Sequence, residues 1–145
     1  MTAFLLDVNV LIALMWPAHE AHTQTQDWFR RKSREGWATC PFTEAAFVRI
    51  ITNPAFSRDA VTPQEALKLL AANLNHAAHR FWAEEISFVA ATQPLARRLV
   101  GHQQVTDAYL LGLAMYNRGK LATLDRAVLA LLPAKSSAGD FVETI

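Results

Sequence analysis

Short apolar runs alternate with helical segments along most of this chain. Runs such as "AFLL", "WATC" and "KLATL" are typical of strands that are buried on both faces. The clearest helix signal is "TPQEALKLL", in which Thr62 is the predicted N-cap, Pro63 the first helical residue and Glu65 the end of a capping box. Strands that alternate with helices predict right-handed crossovers and a parallel sheet covered on both faces.

The predicted elements follow one another without a linker or an internal repeat. The predicted strands are "AFLL", "WATC", "ISFV", "KLATL" and, as a last strand, "FVET". The predicted helices are "VLIALMW", residues 19–34, residues 43–53, residues 63–78, a short helix after Pro94, "VTDAYLLGLAMYNRG" and "RAVLALL". Residues 1–145 are therefore expected to form a single domain, a length that buries about 68–70% of the unfolded surface.

The amino-acid composition excludes several classes of protein. A content of 52% apolar and 19% charged residues describes an ordinary soluble globule. No segment reaches the roughly 18 apolar residues of a membrane helix, and the N-terminus has no basic signal region, so we expect a cytoplasmic protein without a membrane partner. The single cysteine, Cys40, excludes an internal disulfide and a multi-cysteine zinc site, and is interpreted as a small buried hydrophobe.

Basic residues are concentrated in two places, although the net charge is only +1. Arg30, Arg31, Lys32 and Arg34 lie in "RRKSR", and Arg97 with Arg98 form a second basic spot. Such a run is usually the solvated face of a helix, and contact with RNA is the alternative.

Four acidic residues stand in apolar surroundings, unlike the other acids of the chain. Asp7 ends "AFLL" and Asp125 ends "KLATL", whereas Glu44 and Asp107 fall in the first turns of helices. Ligands of open α/β sheets bind beyond the carboxyl ends of the strands, and all four acids are expected at that edge.

Helix capping is the plainer interpretation of each acid taken singly. Asp7 and Asp125 could be N-caps, and Glu44 and Asp107 could complement helix dipoles. Thr43 and Thr106, however, already offer hydroxyl groups for capping beside the latter two acids.

A convergence of four carboxylates would require a cation. Two carboxylates ~4 Å apart repel each other by roughly 1–4 kcal/mol, so they would take up protons or bind a metal. Oxygen ligands favour Mg²⁺, with Mn²⁺ as a possible substitute, and such a site suits phosphodiester hydrolysis. Asn9 and Thr123 would lie beside Asp7 and Asp125, where they could orient a carboxylate or a water molecule.

Four sequence blocks, in order, resemble the PIN-domain nucleases, specifically the VapC-type toxins of bacterial toxin–antitoxin pairs. The blocks are "LLDVNVLIAL", "TEAAFVRIITNP", "VTDAYLLGLA" and "GKLATLDRAV", and "PAHEAH" and "HRFW" are also similar to this group. The resemblance implies a three-layer α/β/α sandwich with a mostly parallel sheet. It also implies a Mg²⁺- or Mn²⁺-dependent endoribonuclease that acts on RNA, forms a homodimer and binds a cognate antitoxin.

Carried over residue by residue, the resemblance makes Asp7, Glu44, Asp107 and Asp125 an acidic quartet that is both catalytic and metal-binding. Asp7 and Asp107 would be the most direct metal ligands. Asn9 and Thr123 match polar positions that are often found near such a quartet.

Two other functions remain open from the sequence. A haloacid-dehalogenase-like phosphatase also places an Asp after its first strand, but its motif requires a second Asp where this chain has Asn9. A non-catalytic RNA- or protein-binding module could use the acids as caps or to hold one structural ion.

Histidine pairs and tryptophans suggest further, weaker hypotheses. The pairs His19/His22 and His76/His79 have ligand-like spacing, but nothing else in the sequence indicates zinc, and surface or contact roles are favoured. The residues Trp28, Trp37 and Trp82 could stack nucleobases, although the hydrophobic core is the more common place for aromatic residues. Arg126, beside Asp125, could contact a phosphate or only balance the local charge.

Overall fold

Five short strands form one parallel sheet. A computed structural model describes residues 2–145. The strands are β1 (Phe4–Leu6), β2 (Trp37–Thr39), β3 (His79–Phe81), β4 (Lys120–Thr123) and β5 (Val142–Thr144). Their order is β3-β2-β1-β4-β5 and every pairing is parallel, which confirms the predicted type of sheet.

Helices cover both faces of this sheet. They are α1 (Val8–Met15), α2 (His22–Lys32), α3 (Pro41–Ile51), α4 (Pro63–Leu74), α5 (Phe88–Thr92) and α6 (Val105–Tyr116). Phe4 and Leu6 pack with α1 to α4 in one hydrophobic cluster, whereas Leu5 packs with α5 and α6 in another. This alternation of side chains along β1 gives the three α/β/α layers that the resemblance implies.

The direction in which successive strands are added to the sheet reverses between β1 and β4. From β1 the chain moves outward through β2 to β3, and it then crosses back to β4 on the other side of β1. Such a reversal opens a crevice at the carboxyl ends of the two central strands. Asp7 directly follows β1, and Thr123 is the last residue of β4, so both lie at this crevice.

The prediction of a strand at "ISFV" is wrong. This segment enters α5, because the Ser87 hydroxyl accepts a hydrogen bond from the Ala90 N–H and caps the helix. The third strand is instead "HRF", which pairs with β2 through Trp37 and His79. The β-branched and aromatic residues of "ISFV" favour a strand locally, but the cap stabilises the helix.

Several helix ends differ from the predictions. Helix α3 begins at Pro41 rather than at residue 43, since proline is well suited to the first helical position. Helix α2 begins three residues later than expected, at His22, and α4 ends at Leu74 because residues 75–78 lead the chain into β3. The segments after Pro94 and in "RAVLALL" are 3₁₀ helices. Thr62 caps α4 as predicted, accepting from the Glu65 N–H.

The tryptophans and the cysteine belong to the core. Trp28, Trp37, Trp82 and Cys40 are all buried, which confirms the core interpretation and leaves these three indoles unavailable for stacking on nucleobases. None of the helices found in residues 2–145 has the length and hydrophobicity to cross a lipid bilayer.

Candidate active site

Asp7 is the most buried of the four predicted acids, with only 8% of its surface exposed. Its Oδ1 accepts a hydrogen bond of 2.7 Å from the Val8 N–H, and its Oδ2 accepts one of 3.1 Å from the Thr123 hydroxyl. Burial raises the pKa of Asp7, and the charge of Asp125 raises it further, although both hydrogen bonds oppose the shift. The side chain is therefore held in one position, and no ion pair within residues 2–145 involves it.

Asp107 and Asp125 share the electrostatic environment of Asp7. Asp107 lies in the first turn of α6, where burial, followed by the charges of Asp7 and Asp125, raises its pKa to about 6. Within residues 2–145 the ion pairs join Arg30 to Asp27 and Lys32 to Glu143, so neither involves these acids. Three of the four predicted acids thus form one group, the three-aspartate cluster, whose charges repel one another.

Glu44 lies at the same edge of the sheet, but its side chain has a different hydrogen-bond partner from those of the aspartates. It lies in the first turn of α3, and its Oε2 accepts a hydrogen bond of 2.7 Å from the Thr39 hydroxyl at the end of β2. Burial lowers the pKa of His79 and the charge of Glu44 opposes that shift, whereas burial, followed by the charges of other aspartates, raises the pKa values of Asp7 and Asp107. The charges of Asp7, Asp107 and Asp125 thus act on one another, and the charge of Glu44 acts on His79.

Two open clefts meet at Asp125. One, of about 660 Å³, is lined by Asn9, His19 and Gln24 as well as Asp125. The other, of about 420 Å³, joins Asp125 to Asp107 and His102. Asn9 is thus exposed on the wall of a cleft that reaches Asp125.

Capping explains part of the arrangement of the acids. Asp7 caps α1, and Asp125 Oδ1 accepts a hydrogen bond of 2.9 Å from the Ala127 N–H. Each cap uses one carboxylate oxygen. The Thr43 hydroxyl accepts from the Cys40 N–H as expected, but Thr106 does not cap α6, because that helix already begins at Val105.

Comparison with known proteins identifies the family. The sequence profile of the PIN domain matches residues 4–131. The chain belongs to the PIN-domain family. It is 41% identical over 145 residues to ribonuclease VapC39 of Mycobacterium tuberculosis, covering 100% of both proteins. It is 44% identical over 127 residues to ribonuclease VapC38 of the same organism, covering 88% of each. The resemblance seen in the four sequence blocks is confirmed.

A solved structure supports the fold of this PIN domain. The crystal structure of VapBC2 from Rickettsia felis, bound to a DNA fragment from its promoter, superposes with a TM-score of 0.65 and covers 99% of each chain. At 10% sequence identity this likeness shows the fold alone. The family assignment separates this PIN chain from the haloacid-dehalogenase-like phosphatases.

The chemistry of the cluster fits a hard divalent cation. Uncompensated carboxylates that raise one another's pKa are stabilised by a positive ion. No group of three or more His, Cys, Asp or Glu side chains in residues 2–145 is arranged to hold a metal ion by itself. Mg²⁺ commonly takes one or two carboxylates and completes its shell with waters and substrate phosphates, so two of the aspartates would suffice as its protein ligands.

A chain of contacts joins His79 and Thr39 to Glu44, although the sequence singles out only His79, as a member of a histidine pair. A threonine that ends a buried strand was a usable sequence signal for such a contact. Thr123 ends β4 and donates to Asp7, as Thr39 ends β2 and donates to Glu44. The contact of His79 with Thr39 depends on the pairing of β2 with β3 and has no local sequence signal. The other histidines of the two pairs bond within the fold: His19 and His76 accept backbone N–H groups, and His22 contacts the Ala13 carbonyl.

Proposed function

We propose that this chain is a metal-dependent endoribonuclease and the toxin of a type II toxin–antitoxin pair. The observation that carries the proposal is the three-aspartate cluster at the crevice between β1 and β4, in a chain of the PIN-domain family. The relatives named ribonuclease VapC support RNA as the substrate. The non-catalytic alternative does not account for three mutually repelling acids, two of which, Asp107 and Asp125, line open clefts, since a cap needs only one carboxylate oxygen.

Asp7 and Asp107 are the proposed direct ligands of Mg²⁺ or Mn²⁺. When bound, the ion would supply the positive charge that activates water and stabilises the phosphate oxygens. The bonds from Val8 and Thr123 fix the Asp7 carboxylate, so little side-chain freedom is lost on binding. Asp125 uses Oδ1 for its cap, and its second oxygen can orient a water molecule beside the scissile phosphate.

Glu44 and Asn9 are proposed to complete the site. Glu44 would contribute directly or through a water, with its Oε2 held by the Thr39 hydroxyl. Asn9 would donate a hydrogen bond to RNA or to a water in the cleft that it shares with Asp125.

The deciding experiment is cleavage of total cellular RNA by the purified, antitoxin-free chain with Mg²⁺ or Mn²⁺. Discrete fragments are expected, and they should disappear with EDTA and in Asp7→Asn. Asp59→Asn is the matched control, because it makes the same chemical change at an exposed residue outside the site. Cleavage that persists in Asp7→Asn, or no cleavage by folded wild-type protein, would favour the non-catalytic binding module.

A homodimer and a cognate antitoxin are the proposed protein partners. Exposed apolar side chains provide a surface for the dimer: Phe42 and Phe88 border one cleft with Tyr109, and Phe88 stacks on the Tyr109 ring at 5.6 Å. Phe88 is 48% exposed, more than expected for a phenylalanine of an isolated domain. Phe88→Lys should shift the sedimenting species toward a monomer. Leu67→Lys, at an exposed leucine on α4, is the control and should not change it.

A further inference from the structure

Thr39 lies between Glu44 and His79. Its hydroxyl oxygen is 2.7 Å from Glu44 Oε2 and 2.8 Å from His79 Nε2. Thr39 is fully buried, and its strand neighbours fix it, since β2 is paired with both β1 and β3. His79 in turn packs against the Trp37 ring, with ring centroids 4.7 Å apart. This chain of contacts joins an edge strand to the acid at the start of α3.

Hydrogen counting assigns a direction to the two bonds. A hydroxyl group has one hydrogen, and an ionised carboxylate can only accept. Thr39 must therefore donate to Glu44, and it must accept from His79, whose Nε2 carries a hydrogen. If Nε2 carried no hydrogen, the Thr39 hydroxyl would have to donate to the imidazole. Thr39 Oγ1 and Glu44 Oε2 would then lie 2.7 Å apart with no hydrogen between them.

We propose that His79 and Thr39 are positioning residues that orient the Glu44 carboxylate for the endoribonuclease reaction, an inference that rests on the proposed function. His79 fixes the direction of the Thr39 hydroxyl, and the hydroxyl holds Glu44 Oε2. Within residues 2–145 no hydrogen bond engages Glu44 Oε1, so this oxygen remains available to the site. The pair acts on Glu44 as Thr123 acts on Asp7. Outer residues of this kind typically change metal affinity or activity by about 10- to 100-fold.

Substitutions at Thr39 separate the hydroxyl from the shape of the side chain. Thr39→Val keeps the volume and should lower kcat about 10- to 100-fold, with a smaller effect on the KM for RNA. Thr39→Ser keeps the hydroxyl and should restore most of the activity. Thr25→Val is the matched control, because Thr25 is equally buried, lies outside the site and has a hydroxyl without a hydrogen-bond partner. Equal losses in Thr39→Val and Thr39→Ser would overturn the proposal.

Substitutions at His79 and Glu44 test the order of the chain of contacts. His79→Gln retains an N–H at the distance of Nε2 and should be more active than His79→Leu. In the Glu44→Gln background, Thr39→Val should cause little further loss, since residues that act as a unit are not additive. A full additional loss in the double variant would show that Thr39 acts elsewhere than on Glu44.

A readout independent of cleavage tests the hydrogen-bond direction itself. The nitrogen chemical shifts of His79 in the folded wild-type protein should show a protonated Nε2, and Thr39→Val should move that signal. Calorimetric titration of Mn²⁺ into the same variants should show weaker binding for Thr39→Val than for Thr25→Val. An unprotonated Nε2 would overturn the assignment even if the nuclease is active. Absence of wild-type cleavage with a protonated Nε2 would instead contradict the proposed function.

Discussion

Thr123 donates a hydrogen bond to Asp7 across the crevice between β4 and β1, with Thr123 Oγ1 3.1 Å from Asp7 Oδ2. Thr39 makes the equivalent bond to Glu44 from the end of β2. Both threonines are buried last residues of central strands, so the sheet itself fixes their hydroxyl groups. The fold therefore orients two acids of the predicted quartet before any metal or RNA binds.

Asp107→Asn should stabilise the metal-free chain at neutral pH. The folded-state pKa of about 6 exceeds the ordinary value of 3.8, so the folded protein binds the proton more tightly than the unfolded chain. The free energy of unfolding must therefore fall as the pH rises from 3.8 to about 6, and stay low above it. Above about pH 6, removing the Asp107 charge should raise the free energy of unfolding by about 1–2 kcal/mol.

Urea unfolding in EDTA, measured below pH 3.8 and at neutral pH, checks this expectation. The two proteins should be equally stable in acid and differ at neutral pH. Asp59→Asn, at an exposed position, should show no such pH-dependent gain. Equal stabilities of Asp107→Asn and wild type at neutral pH would mean that repulsion within the three-aspartate cluster is already relieved.

Gly112→Ala should destabilise the fold strongly. A methyl group at this position in α6 would lie 2.0 Å from the Ala91 carbonyl oxygen of α5, and a backbone atom cannot rotate away. The overlap must push the two helices apart, at a cost of at least about 2 kcal/mol. Gly139→Ala meets open space and should leave the unfolding midpoint in urea almost unchanged. Similar midpoints for the two variants would show that α5 adjusts freely.

Thr25→Val should stabilise the protein. The Thr25 hydroxyl in α2 is fully buried and has no hydrogen-bond partner among residues 2–145, which leaves its desolvation uncompensated. Valine has nearly the same shape without the polar atom, so the free energy of unfolding should increase by about 1 kcal/mol. A decrease in the urea midpoint would indicate a water molecule or a partner that satisfies this hydroxyl.

The sequence predicted the three inner strands and the edge strand β5, but it did not predict the other edge strand, β3. Strands β1, β2 and β4 are continuous apolar runs because both of their faces are covered, and the acids that follow them could be placed by the rule for parallel strands. Strand β3 is an edge strand with exposed Arg80 and Phe81, so its composition does not resemble a buried strand. Its position is decided by pairing with β2, which is a tertiary effect.

In the candidate site, too, some features could be predicted from the sequence and others depend on tertiary contacts. Asp7, Asp107 and Asp125 could be grouped from sequence because each follows or begins an element at one sheet edge. The separate environment of Glu44 could not be foreseen, since it depends on side-chain bonds to Thr39 and, through it, to His79. The roles of the quartet in catalysis and metal binding stay predictions.

The basic run "RRKSR" should contribute little to cleavage of a short RNA. It ends α2 just before β2 begins, and it therefore lies at the amino ends of the strands, whereas the acids lie at the carboxyl ends. The two edges are separated by at least the length of a strand of three residues, roughly 10 Å. Arg126, which follows Asp125 at the carboxyl edge, is exposed beside the clefts and is the better candidate for a phosphate contact.

Arg34→Gln and Arg126→Gln form a matched pair for this comparison, because both remove one exposed positive charge. Arg126→Gln should raise the KM for a short single-stranded RNA several-fold at low salt, and the dependence of binding on salt should become weaker by about one phosphate contact. Arg34→Gln should leave both quantities unchanged. The opposite ranking would place the RNA across the amino edge of the sheet, where "RRKSR" would serve as its binding surface.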